Sequence, residues 1–437
     1  MVREEASSFR DPAGQVVINN GNYLREVNEA YLPEYDRLME SGLYADLISN
    51  DLMIPHEELD SRLLLPKQVP FWSYPYEWCF SMLKGAAVTT LHCAVMALEY
   101  DMMMKDASAY NIQYIDGQMK LIDTLSFMLY QPGMMLPGYQ QFVEHFLCPL
   151  LLMSYGRTEV TKLLTVNVDG ISVDTAGKLL PLKARFNHSA MVNIYLPRLL
   201  QQHIDPTALE VHPTKEAVLK SINILLKAVD GLEYKVSSAW SKYENEDSYT
   251  LAAKESKKAI IGDILLALPY GAVADFGANT GEYSRFAHTL GHDVIALDRD
   301  HDCIERLYVP GLVNKLPLVI DICNPSPAIG WQNTERKSFL DRLHVDTIMA
   351  LALIHHLCIG NNIPLSKVAE LLAAHCRNLI IEFVPLDDKK AQILLGKKNI
   401  PPYSEDIFRQ EFGRFFTVAQ RREVADSKRV IYLMEEK

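Results

Sequence analysis

The stretch Ala272-Val273-Ala274-Asp275-Phe276-Gly277-Ala278-Asn279-Thr280-Gly281 decides how the rest of the chain is read. Its first five residues form a short apolar run, which predicts a buried strand. The glycines that follow let the backbone turn sharply and come close to a ligand. Residues 282–290 then have helical spacing, so the turn opens a helix whose first N–H groups lack partners inside the helix.

Working outward, the same alternation continues to the C-terminus. Strands are predicted at 272–276, 293–298, 316–321, 346–353 and 378–384, with helices at 282–290, 301–308, 366–376 and 387–396. Strands alternating with helices indicate parallel βαβ units covered by helices on both faces. A helix over 248–268 precedes them and stops before Pro269-Tyr270-Gly271. Two strand-like runs, 415–424 and 428–435, end the chain around Asp426-Ser427 and predict an antiparallel hairpin at the sheet edge. The fold class expected is α/β: a Rossmann-like C-terminal sheet of seven strands, preceded by an α+β N-terminal domain and a helical middle region.

Two ligands commonly use such a glycine turn, a dinucleotide and S-adenosylmethionine. A dinucleotide fingerprint after Gly277 would place glycines at 279 and 282. Those positions hold Asn279 and Glu282, and the next glycine is Gly281. Glu282 would also repel a pyrophosphate. The stretch instead resembles the first motif of the class I S-adenosylmethionine-dependent methyltransferases, acid-x-Gly-x-Gly-x-Gly. Asp275, Gly277 and Gly281 match it, and Asn279 replaces the middle glycine. Asp298 closes the next strand, where the resemblance implies a carboxylate that accepts from both ribose hydroxyls; two oxygens suit a vicinal diol. Asp321-Ile322 closes the strand after that, at the position implied to meet the adenine. The resemblance covers about 240–437 and implies S-adenosylmethionine as cofactor, held by Asp275, Gly277, Asn279, Gly281, Asp298, Asp321 and Ile322. More narrowly, Asn324-Pro325-Ser326-Pro327, Gly330-Trp331, Glu335-Arg336, 352–357 and 381–385 resemble a group of bacterial methyltransferase-type proteins, some of them nodulation-related.

Methyl transfer rests on positioning and desolvation, and a hydroxyl or ammonium acceptor also needs a base. His355 and His356 lie just past the fourth strand, where a parallel sheet presents its ligand-facing ends. One of them is the candidate base or acceptor-orienting group; the competing reading is a satisfied core histidine. Glu382, within the fifth strand, reads as a buried acid paired with Arg336 or a backbone donor. Asp387 and Asp388 read as a helix N-terminal charge set. Tyr283 and Trp331 would shape the pocket or belong to the core.

Upstream, Asn19-Asn20-Gly21-Asn22 and Asp116-Gly117 each separate alternating runs and predict hairpins. A helix is expected over 30–48 and a long apolar one from about 79 to 100. Asp106-Ala107-Ser108-Ala109-Tyr110-Asn111, a hairpin, then Ile122-Asp123 resemble the catalytic loop and metal-binding acid of kinase-like phosphotransferases. That resemblance implies Asp106 at an acceptor hydroxyl, Asn111 and Asp123 on magnesium, and Arg25 near the place of a phosphate-contacting lysine. No glycine-rich loop is visible in the first hairpin, Lys105 precedes Asp106, and Thr124 follows Asp123. A kinase-like fold with lost or altered activity stands beside a plainer reading, a helix-capping Asp106 and a polar-ended hairpin.

The domains expected are 1–150, possibly kinase-like and degenerate, 151–240, helical, and 241–437, the transferase. The 437 residues carry 43 Lys and Arg against 55 Asp and Glu, a net charge of −12, which argues against non-specific nucleic-acid binding. Arg414, Arg421, Arg422, Lys428 and Arg429 read as a solvated face of the terminal hairpin. The seven cysteines form no CxxC pair and read as reduced thiols in the cytoplasm. No uncharged apolar run reaches the roughly 18 residues of a membrane span, and the N-terminus lacks an apolar signal core. The function expected is S-adenosylmethionine-dependent methyl transfer to an unidentified acceptor. The alternatives are a kinase-like phosphotransferase with a regulatory cofactor-binding domain, or a non-enzymatic cofactor-binding scaffold.

Overall fold

A computed structural model describes residues 3–203, 212–236 and 249–437. The polar stretch 244–248 lies outside them. The chain divides into two compact units: Met1–Lys235 with Pro327–Ser338, and Val236–Ser326 with Phe339–Lys437.

Unit one opens on an antiparallel sheet in the order β1-β2-β3-β5-β4, formed by β1 (Arg3–Glu4), β2 (Gly14–Asn19), β3 (Asn22–Val27), β4 (His56–Glu58) and β5 (Leu63–Pro66). The expected turn joins β2 to β3: Asn20 and Gly21 both have positive φ, 50° and 84°, as a two-residue hairpin of matching twist requires. The helix expected over 30–48 is broken into Leu32–Glu40 and Leu43–Ser49. Gly42, at φ 91°, stands between them in a conformation no helix interior adopts. The Phe80–Glu99 helix is long and apolar enough to cross a membrane, yet 61% of it is buried inside the protein. It packs on the Lys215–Asp230 helix and on β6 (Met102–Met104) and β8 (Gln118–Leu121), as a core helix does. β6 pairs with β9 (Phe127–Leu129). β7 (Ile112–Ile115) pairs with β8 across the Asp116-Gly117 turn. The described residues between 150 and 235 are largely helical, beginning with the buried Cys148–Ser154 helix.

Unit two is built on one mixed sheet of seven strands, ordered β12-β11-β10-β13-β14-β16-β15. Its strands are β10 (Ala272–Phe276), β11 (Asp293–Asp298), β12 (Lys315–Val319), β13 (Val345–Ala350), β14 (Cys376–Phe383), β15 (Phe416–Glu423) and β16 (Val430–Glu436). β10 to β14 run parallel. β16 inserts antiparallel between β14 and β15, the expected terminal hairpin. The central strands are buried along nearly their whole length, as strands covered on both faces are. One face packs through Val273, Ala296, Met349 and Ile431 against Ile260, Ile261 and Ile264 of the Leu251–Ala267 helix and Ala287 of Glu282–Thr289. Strand order reverses at β10, with β11 on one side and β13 on the other, so a crevice opens at the C-terminal ends of these strands. A helix at Glu405–Phe412, not anticipated, starts on Ser404, whose hydroxyl accepts from Ile407 N.

Candidate active site

The crevice in unit two is a cavity of about 420 Å³. The glycine turn forms one wall. Gly277 (φ 74°) donates its N–H to Leu297 O at 2.8 Å, and Ala278 donates to the same oxygen. Asn279 takes φ 50°, a left-handed conformation that asparagine tolerates better than most residues. This is how the turn survives without its middle glycine. Gly281 (φ 84°) caps the Glu282–Thr289 helix. A Cβ there would lie 1.9 Å from Leu307 Cδ1, so the position requires glycine.

Asp298 ties the wall to the next strand. Its Oδ2 accepts from Asn279 N at 2.8 Å and its Oδ1 from Asp300 N at 2.8 Å. Burial raises its pKa above the ordinary carboxylate value. Asp275 is deeper, 3% exposed, and accepts from the Ser284 hydroxyl at 2.6 Å. Burial pushes it up to about 6, with Ser284 and Lys257 pulling the other way. Asp321, Ile322 and the exposed Cys323 line the cavity beyond β12, and Asp321 Oδ1 accepts from Cys323 N.

The opposite wall comes from the segment after β13. Ala352 sits at φ 52°, strain that a non-glycine residue carries at about 1–2 kcal/mol. Three residues later the chain presents two adjacent imidazoles, His355 and His356, with ring centres 4.3 Å apart and planes inclined at 45°. His355 is 2% exposed and its Nδ1 has no hydrogen-bond partner. Burial, the neighbouring imidazole and Arg429 depress His355 to about 3; burial and Arg299 depress His356 to about 4. Both rings are therefore neutral at neutral pH.

Of the residues singled out for the cofactor and the base, Asp275, Gly277, Asn279, Asp298, Asp321, Ile322, His355 and His356 all line this cavity. Gly281 is not among the lining residues; it caps the helix that follows the turn. Tyr283 lines the cavity as well, whereas Trp331 lies in the Pro327–Ser338 segment of unit one and is 63% exposed.

A buried ionic cluster that sequence reading missed closes the same cavity. Lys257 Nζ meets Glu382 Oε2 at 2.7 Å, with side chains 5% and 0% exposed. The Tyr249 hydroxyl donates to Glu382 Oε1 at 2.5 Å and accepts from Arg429, which also holds Asp388 at 2.9 Å. Burial would raise Glu382, but Lys257 and Arg429 outweigh it and hold the group below the ordinary range. The partner expected for Glu382 was Arg336 or a backbone donor, and Arg336 does not supply it. That residue instead belongs to unit one, where it stacks on Tyr110 at 4.5 Å. Arg429 is likewise buried at 3%, not solvated as the terminal basic face predicted. The rest of that face is exposed and paired: Arg414 with Glu411, Arg421 with Glu405 and Glu423, Arg422 with Asp263, Lys428 with Asp387. Asp388 caps the Lys389–Leu395 helix, as expected.

Asp275, Glu282, Asp298, Asp300 and Asp321 place five carboxyl groups around the glycine wall. Lys254, Lys257, Arg299, Lys390, Lys398 and Arg429 line the same cavity, so acids and bases share its wall.

The second candidate constellation lies in unit one. Asp106 and Asn111 occupy the β6–β7 connection and Asp123 the β8–β9 connection. Arg25 Nη1 meets Asp123 Oδ1 at 2.6 Å, with side chains 12% and 6% exposed. Asp123 Oδ2 accepts from Ser126 Oγ at 2.6 Å, and Asn111 donates to the same hydroxyl oxygen at 3.3 Å. Burial and the nearby Asp123 raise Asp106.

No protein-family model matches the chain. Among solved structures it shares a likeness with the N-methyltransferase NodS of Bradyrhizobium japonicum WM9 (10% identity, TM-score 0.33, 42% of this chain and 96% of that one). Another is the magnesium protoporphyrin IX methyltransferase ChlM of Synechocystis PCC 6803 with bound SAH (14%, TM-score 0.32, 45% and 93%). A third is the bifunctional kinase-methyltransferase WbdD (13%, TM-score 0.32, 46% and 43%). The nodulation protein NoeA of Rhizobium meliloti (strain 1021) is 30% identical over 455 aligned positions, spanning 98% of this chain and 95% of that protein. With a likeness that runs through both units, the chain belongs to the family of nodulation protein NoeA.

Proposed function

We propose that this protein is a methyltransferase that binds S-adenosylmethionine in the unit-two cavity. The observation that carries the reading is the convergence of the Gly277 turn, Asp298 and Asp321 at the ends of three successive parallel strands, on one cavity. When bound, the cofactor supplies an electrophilic methyl group on a sulfonium. The residues of the chain do the rest. Gly277 leaves the wall open to close approach. The Asp298 carboxylate accepts from the ribose hydroxyls, and Asp321 with Ile322 borders the base.

His355 and His356 face the acceptor. Being neutral, each can accept a hydrogen bond from an acceptor hydroxyl or amine and orient its lone pair. With pKa values of about 3 and 4, they orient a proton rather than hold it between turnovers. Unit one, with its helical region, is assigned to the acceptor. Phosphoryl transfer is not favoured there, because Arg25 already neutralises Asp123. A cytoplasmic setting is supported by seven free thiols, six of them buried.

The test is calorimetric titration with S-adenosylmethionine and S-adenosylhomocysteine, followed by incubation with methyl-labelled cofactor and cell extract. One saturable site and a labelled product are expected. Absence of binding to either compound removes the reading.

A further inference from the structure

The residues 157–199 of unit one contrast with the chain as a whole. The protein carries a net charge of −12. From Thr175 to Leu199, however, there is no Asp or Glu, while Lys178, Lys183, Arg185 and Arg198 are present; Lys178 and Arg198 pair with Asp174, which leaves Lys183 and Arg185 as the cations flanking the exposed apolar groups. The same stretch exposes large apolar side chains. Leu182 is 76% exposed and Phe186 93%, both on the Leu182–Phe186 turn of 3-10 helix. Leu196 and Leu199, one turn apart on the next helix, are 46% and 53% exposed.

These groups form one neighbourhood. The Arg185 guanidinium lies over the Tyr195 ring at 5.7 Å, which joins the Leu182–Phe186 turn to the Leu196 helix. Arg198 Nε bonds Asp174 at 2.8 Å, which joins that helix to Val173–Leu179. Lys183 lies over Tyr155 at 5.4 Å.

We propose that this face docks on an anionic lipid surface. A protruding Phe and Leu flanked by Lys and Arg match the chemistry of an interfacial segment, in which apolar tips enter the headgroup boundary and cations meet lipid phosphates. Charge selects this occupant. The Leu182–Phe186 turn carries Lys183 and Arg185 and no acid, so a second copy of it would place like charges together. The inference stands apart from the methyltransferase reading, since none of these residues lines the unit-two cavity.

The test is co-sedimentation of the full chain with vesicles of phosphatidylcholine alone and of phosphatidylcholine mixed with phosphatidylglycerol. Binding is expected only to the mixed vesicles, and it should weaken as salt screens the charges. Phe186→Ser with Leu182→Ser should lower the bound fraction roughly tenfold. Lys183→Gln with Arg185→Gln should remove the preference for anionic lipid while leaving the circular dichroism melt unchanged. Failure to bind mixed vesicles, or equal binding by both double variants, overturns the proposal. So does concentration-dependent dimerisation that Phe186→Ser abolishes while vesicle binding is absent, which would assign the face to a second copy.

Discussion

Asp298 in unit two and Asp123 in unit one are both strand-end acids that the sequence offers as ligand-holding groups, and their surroundings are opposite. Asp298 accepts two backbone N–H groups, which position it without cancelling its charge, and it borders an open cavity. Asp123 has one oxygen on a buried guanidinium and the other on a serine hydroxyl. The difference teaches that a motif becomes a site only when its neighbours leave the polar group something to do. Uncharged donors preserve a carboxylate for a ligand, whereas an internal ion pair consumes it.

The sharpest way to break this comparison is Asp123→Ala. Removing one partner strands the Arg25 charge in the interior, so stability should fall by roughly 3–5 kcal/mol in urea unfolding. Affinity for S-adenosylhomocysteine should not change. If stability is kept and nucleotide binding is lost instead, Asp123 is a ligand group and the contrast fails.

Asp298→Ala is the counterpart. It should weaken S-adenosylmethionine binding roughly a hundredfold in calorimetry through the loss of two hydrogen bonds to a charged acceptor. Unimpaired binding by this variant would mean that the carboxylate only braces the glycine turn.

A third prediction concerns pH. His355 has a folded pKa of about 3, below its unfolded value near 6.5. The unfolded chain therefore takes up the proton first, and stability falls as pH drops below 6.5. Between pH 7 and pH 5 this costs roughly 2 kcal/mol. His355→Gln should flatten that part of the pH–stability curve, measured by urea midpoints. An unchanged slope would show that the imidazole is solvated, not buried against the cavity.

The smallest effect is expected at Ala352. Ala352→Gly relieves the left-handed strain but adds unfolded-state entropy, a net gain below about 1 kcal/mol. The same change should lower methyl turnover, because the strained residue directs His355 and His356 toward the cavity.

Much of unit two was legible because its signals are local. Apolar runs bounded by turns marked β10 to β14, and the glycines marked the place where the backbone takes positive φ. Asn20-Gly21 and Asp116-Gly117 announced their hairpins for the same reason. Gly42 was the local signal overlooked in the helix expected over 30–48. The buried cluster was not legible. Tyr249 and Glu382 are 133 positions apart, and Lys257 and Glu382 are 125 apart. No short-range pattern couples them; they meet because β14 carries Glu382 beneath the helix that bears Lys257. The partner of Glu382 was misjudged on those grounds, since Arg336 leaves with the Pro327–Ser338 segment. There Glu335 pairs with Arg10 and Lys337 with Glu5.

By itself the sequence determined the alternation of strands and helices, the glycine turn and the acids at the strand ends, because each depends on residues near one another in the chain. Only the tertiary structure decided which carboxylates stay available and which are spent on an internal cation, which histidines lose their proton through burial, and which basic residue of the terminal hairpin is drawn into the interior. Those outcomes depend on desolvation and on charges brought together from distant positions, and neither is written in any one stretch of chain.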